Sequence, residues 1–116
     1  MLNQVVLVGR LTADPEVIKT ESGKKKTTVC LAVARSFKNP DGIYESDFVR
    51  CILWDGIAAS TSEYCKKGDV VGIKGRLQTS KYEKDGETKY SYDVIAEKVT
   101  FLTNKKVDPI TEETDE

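Results

Sequence analysis

What most constrains this chain is its period. Apolar and polar residues alternate along most of its length, and the alternation is interrupted once, by "DGIAASTSEYCKKG" at residues 55–68. A period of two marks a half-buried strand, because successive side chains point to opposite faces of a sheet. The interruption has the signals of one short helix of about three turns. Asp55 is placed to act as N-cap and Gly68 as C-cap, with apolar or small residues at 57, 61, 64 and 65 and two lysines near the end.

Five stretches read as strands. Residues 2–11 form the first, with Gly9 marking a bulge or bend. "TADPE" and "TESGKKK" are turn and loop, and "TTVCLAVAR" at 27–35 is the second strand. "FKNPDGIYE" is a loop, and "SDFVRCILWDG" at 46–56 carries the third. After the helix, "DVVGIKGRLQTSKYE" and "ETKYSYDVIAEKVTFL" pair across a tight "KDG" turn. Five strands with a single helix between the third and fourth is the order of an all-β, five-stranded Greek-key barrel of the OB type. Gly9, Gly72 and Gly75 stand where coiled barrel strands need bends. Residues 1–105 are read as this one domain, and the acidic, Pro-containing 106–116 as a short disordered tail. A barrel with no nucleic-acid role has the same pattern, so the fold alone assigns no function.

Composition excludes several classes. At 116 residues the chain is one domain with a core large enough to fold unaided. It has no apolar run of membrane-spanning length, and its N-terminus lacks the basic and cleavage regions of a secretory signal. Cys30, Cys51 and Cys65 are scattered without CxxC spacing, and there is no His. That set predicts buried thiols in a reducing cytoplasm, with no zinc site and no disulfide framework. Without His, a nucleophile–carboxylate constellation or a GxxxxGK[ST] loop, no catalytic residue and no cofactor are expected. Net charge is −1, but residues 108–116 hold five of the 19 acids and no base. Residues 1–107 therefore set 18 bases against 14 acids, a net of +4.

The third strand carries the unusual chemistry. Asp47, Val49, Cys51 and Leu53 share one face, and beyond the Asp they suit a barrel lining. Phe48, Arg50, Ile52 and Trp54 share the other, where a guanidinium between two rings is costly to bury without a partner. Exposed, such a face suits single-stranded nucleic acid, whose bases stack on rings while cations answer the phosphates. Phe48 and Trp54 are equally readable as core or oligomer contacts, and Ile52 as subunit packing. "RSFK" puts Phe37 between Arg35 and Lys38, and "KYEK" puts Tyr82 between Lys81 and Lys84. Arg10 and Arg76 end the similar segments "VGRL" and "KGRL", with Lys74 two residues before Arg76. "GKKK" at 23–26 reads as a solvated loop, Tyr44 and Tyr64 as packing groups, and Tyr90 as a candidate extension of the binding face.

"MLNQVVLVGRLTADPE", "VCLAVARSF", "FVRCILWDGIAASTSEYCKKGDVVGIKGRLQT" and "KYEKDGETKYSYDVIAEKV" together resemble bacterial single-stranded DNA-binding proteins, in order and over about residues 1–104. The resemblance implies an OB-fold homotetramer that wraps single-stranded DNA in replication, recombination and repair, in the cytoplasm and on the nucleoid. By motif, the family's stacking rings fall on Phe37, Phe48, Trp54 and Tyr82. Its basic contacts fall on Arg10, Arg35, Arg50, Lys74, Arg76 and Lys81, and its first-strand subunit contact on Leu2, Asn3, Gln4, Val5 and Val6. Where the family often has Trp, this chain has Phe37, Phe48 and Tyr82. Its end, "ITEETDE", lacks the apolar tip through which the family recruits partner enzymes, so recruitment by that route is not expected. The alternative is an OB-fold RNA-binding or protein-interaction subunit of a replication or mobile-element complex.

Overall fold

Residues 1–103 are described by a computed structural model, and the expected tail at 106–116 lies outside them. The alternation becomes burial as anticipated: in β1 (Val5–Leu11) Gly9 and Leu11 are buried while Val6, Val8 and Arg10 point out. The other elements are β2 (Ile18–Lys19), β3 (Lys25–Lys38), β4 (Tyr44–Trp54), α1 (Asp55–Tyr64), β5 (Val70–Lys84) and β6 (Glu87–Phe101). β1 pairs antiparallel with both β3 and β5, β3 with β4, β5 with β6, and β4 runs parallel to β6. The ring β1-β5-β6-β4-β3 therefore closes on itself. This is the expected five-stranded OB barrel, with the helix between its third and fourth strands. The two-residue β2 is an addition that the sequence reading left unassigned; it pairs with β3 through Ile18↔Lys26 and Lys19↔Lys25.

Leu11, Val29, Leu31, Cys51, Leu53, Val71, Ile73, Val94 and Ala96 fill the barrel, and α1 adds Ala58. Each large apolar side chain so buried contributes roughly 1.5–3 kcal/mol. Two glycines are required by close backbone approach. A Cβ at Gly9 would collide with the Ala32 carbonyl oxygen, and one at Gly75 with that of Ile95. The pairing steps from Lys74↔Lys98 to Gly75↔Ala96, leaving Glu97 as the extra residue of a bulge in β6. Gly72 meets only ordinary contacts, so no close backbone approach requires a glycine there.

Both expected caps of α1 are corrected. The residue before the helix is Trp54, in extended conformation, and no side chain caps it. Asp55 is the first helical residue, at φ 49, and its carboxylate instead accepts a 3.4 Å hydrogen bond from the Lys25 main-chain N–H. The helix ends at Tyr64, four residues before the "KKG" signal is complete at Gly68. Gly68 sits at φ 92 in the turn that follows and donates its N–H to the Leu11 carbonyl at 2.8 Å.

The loops are shorter and the strands longer than the sequence suggested. β3 starts at Lys25, inside the "GKKK" read as loop, and runs on to Lys38, while β4 begins at Tyr44. Asn39 makes the connection tight, its side-chain oxygen accepting from the main-chain N–H of Asp41 and of Ile43, both at 2.9 Å. The β5–β6 hairpin turns on Asp85 and Gly86, both at positive φ, as "DG" in a two-residue turn requires. From Arg76 onward β5 has no buried residue, and β6 has none before Asp93. The hairpin therefore stands off the barrel as an arm with both faces in solvent. Among the described residues no helix is long and apolar enough to cross a membrane.

Candidate nucleic-acid interface

Directly opposed residues of neighbouring strands share a face, so the register places the outer side chains in rows. One row is Thr28, Ile52, Ile95 and Arg76, across β3, β4, β6 and β5. Ile52 thus has an apolar neighbour, Ile95, within its own chain. The next row sets Cys30 opposite Arg50 and Gln78 opposite Asp93, and Arg50 and Asp93 join the two halves. Arg50 donates from Nε to an Asp93 oxygen at 2.5 Å. The row beyond is Arg10, Ala32 and Phe48, because Ala32 lies opposite both. The last row, at the other end, is Lys26 and Trp54, with the Lys26 ammonium 5.7 Å from the indole centroid.

The two faces read for the third strand are therefore distinct. Cys51 and Leu53 are fully buried and Val49 packs against the core, whereas the Phe48 ring is 68% exposed and the Arg50 side chain 55% exposed. A cleft of about 290 Å³ lies on this outer face, lined by Thr12, Asp14, Cys30, Phe48 and Arg50 among others. On β5, Arg76, Gln78, Ser80 and Tyr82 continue the same side at alternate positions along the arm. The Arg50 guanidinium is held above its usual pKa by its hydrogen bond to Asp93, then by that residue's charge. Phe48, Arg50, Arg10, Arg76, Tyr82 and, at the margin, Trp54 are brought onto one surface.

Other candidates fall elsewhere. Arg35 lies on the opposite side of β3, in line with Val33, and every nitrogen of its guanidinium is engaged. Nε donates to both Asp47 oxygens at 3.2 Å, Nη2 to Asp47 at 2.8 Å and Nη1 to Glu45 at 2.9 Å. Lys81 sits opposite Tyr90, on the reverse side of the arm from Tyr82. Lys74 shares the Arg76 side but stands between Val6 of β1 and Lys98 of β6, on the far flank of the barrel. Phe37 is 65% exposed, within the irregular stretch between Ala34 and Lys38. Lys74, Arg76 and Lys81 form no ion pair with any described residue.

In the first-strand group, Val5 packs against its own core, while Leu2 and Val6 are exposed and Gln4 points to solvent. Asn3 exchanges two hydrogen bonds with the main chain of Leu77, at 2.8 and 2.9 Å, and so ties the N-terminal segment to β5. Tyr64 meets Phe101 at 6.0 Å between ring centroids but is still 48% exposed, and Tyr44 is exposed too, with the Lys38 ammonium 5.7 Å from its ring centroid. Sequence reasoning missed Lys26 and Asp93. Nothing local marks Asp93 as the partner of Arg50, because their meeting depends on the parallel β4–β6 register. Burial pushes the Cys51 thiol up to about 12, so it is an inert core group. Among the described residues no cluster of three or more His, Cys, Asp or Glu could hold a metal ion.

A closed OB barrel with one sheet face of exposed rings and guanidinium groups defines the class of this protein: a small β-barrel binding module. The family follows from comparison: residues 2–102 match the model of the Single-strand binding protein family, and the chain belongs to that family. It is similar to single-stranded DNA-binding protein B of Bacillus subtilis (strain 168), 48% identical over 106 residues that make up 90% of this chain and 94% of that protein. It is also 46% identical over 107 residues to single-stranded DNA-binding protein 3 of Listeria innocua, spanning 91% of this chain and 67% of the relative. The match to the single-stranded DNA-binding protein of Bacillus cereus is 47% over 103 residues and spans 61% of that protein. The family's proteins bind DNA and are not enzymes.

Proposed function

We propose that this protein binds single-stranded DNA without sequence preference and protects it during replication, recombination and repair. The observation that carries the reading is the continuous outer face of Phe48, Arg50 and Tyr82, flanked by Arg10 and Arg76 and ending at Trp54. Bases stack on the rings at roughly 1–3 kcal/mol each, and any base has a face to offer, so affinity needs no base-edge contacts. The guanidinium groups answer the backbone. Binding therefore weakens with salt, log K falling against log salt by about 0.7 for each phosphate neutralised.

The protein works as an oligomer in the cytoplasm, on the nucleoid, and a homotetramer is the assembly proposed. Val6 and Val8, 68% and 54% exposed on the outer side of β1, offer an apolar strip for subunit contact. Mass measurement in solution tests this directly; a monomer at micromolar concentration contradicts it.

Titration with oligo-dT tests the binding itself. The account expects quenching of Trp54, the chain's only tryptophan, and weakened binding by Phe48→Ala. Absence of quenching, with Phe48→Ala and Tyr82→Ala binding like the wild type, would contradict it. Stronger competition by oligo-U than by oligo-dT would move the assignment to RNA.

A further inference from the structure

The geometry assigns to Asp93 the role of a positioning residue that presents Arg50 to the nucleic-acid backbone. The inference rests on the proposed reading of this face as the single-strand binding surface. A carboxylate on such a face is unexpected, because it repels the phosphates the face is meant to attract. Asp93 is nonetheless there, only 7% exposed, at the junction of β4 and β6 beneath the exposed Arg50.

The pairing is specific in its atoms. Asp93 takes Nε of Arg50 and leaves both terminal nitrogens, Nη1 and Nη2, without a partner among the described residues. Nε and the two terminal nitrogens lie in one plane, so a bond at Nε fixes the plane while the outer donors remain available. Arg has long, mobile side-chain torsions, and ordering them on binding weakens affinity. Asp93 orders them beforehand. Because the carboxylate is buried and the guanidinium half-exposed, the negative charge lies behind the cation as seen from solvent. The phosphate meets an arginine already aimed at it.

Asp93→Asn separates positioning from charge. On charge alone, removing a carboxylate from a polyanion-binding face tightens binding. On positioning, Asp93→Asn weakens oligo-dT binding about three- to tenfold. The slope of log K against log salt also shrinks by about 0.7, the share of one phosphate contact. Arg50→Lys keeps the charge but not the planar fork, and it should weaken the wild type while adding little to Asp93→Asn. Thermal melting of each variant confirms that a folded protein is being compared. Unchanged or tighter binding by Asp93→Asn, or additive losses in the double variant, overturns the role. Arg50→Ala tells the two failures apart. If it weakens binding while Asp93→Asn does not, the positioning role fails and the face stands. If neither variant changes binding, the assignment of the face fails with it.

Discussion

Arg50 and Arg35 occupy adjacent strands of one antiparallel pair, and the molecule treats them in opposite ways. Arg50 is on the outer side of β4, bonded through Nε alone to a buried carboxylate behind it. Arg35 is on the other side of β3, near the end of the β3–β4 hairpin, with all three nitrogens held by the exposed carboxylates of Asp47 and Glu45. The two look alike as basic residues beside a ring, "FVR" and "RSF". What distinguishes them is strand parity and the number of carboxylates across the strand. A cation contributes to polyanion binding only if its outer donors are free and face the ligand.

The difference can be broken or sharpened by substitution. The largest effect is expected at the ring beside Arg50: Phe48→Ala should weaken oligo-dT binding roughly ten- to a hundredfold in a fluorescence titration, the loss of a stacking platform. Arg50→Ala should follow with about a tenfold loss, as for a charge-assisted hydrogen bond, whereas Arg35→Ala should change affinity less than about twofold. An Arg35→Ala loss equal to that of Arg50→Ala would erase the distinction. Smaller still is the effect of freeing the second cation. Glu45→Gln with Asp47→Asn releases the Arg35 donors but leaves them on the other side of β3, so in that background Arg35→Ala should still change affinity less than about twofold, measured by anisotropy.

Acid should act in the same direction. The hydrogen bond from Arg35 holds the Asp47 carboxyl below its usual pKa. The pair therefore stabilises the fold above the ordinary carboxylate pKa, and the contribution is lost as pH falls through the lowered value. A melting series into acid should show Asp47→Asn converging on the wild type. The smallest effect is a footprint: Cys30, half-buried opposite Arg50, should react with a thiol reagent and be protected by oligo-dT. Cys51, one residue along and pushed up to about 12 by burial, should stay unlabelled at neutral pH.

The barrel was legible because alternation and burial are the same fact. "VRCIL" commits Cys51 and Leu53 inward, and one interruption of the period locates the helix. Turn chemistry was legible where it is purely local, as at Asp85-Gly86. Caps were not. Asp55 has the composition of an N-cap, but its carboxylate finds the Lys25 N–H, a partner 30 residues away that only the closed barrel supplies. The site was legible by residue type and not by facing. "KYEK" puts Lys81 beside Tyr82 in the chain, yet neighbours in a strand point apart, so the pair divides between the two sides of the arm. "GKKK" reads as a loop until Lys26 is seen over the Trp54 ring. Asp93 needed the parallel β4–β6 register, which no local pattern encodes.

The central claim is that the strand runs over one face, the outer side of β4 with its continuation along β5. Photo-crosslinking with an oligo-dT carrying 5-iodouracil, mapped by mass spectrometry, tests it most directly. The account predicts crosslinks at Phe48, Trp54 and Tyr82. Crosslinks concentrated instead on Tyr90 and Tyr92, or on Tyr44 beside the Arg35 cluster, with those three rings unmarked, would contradict it.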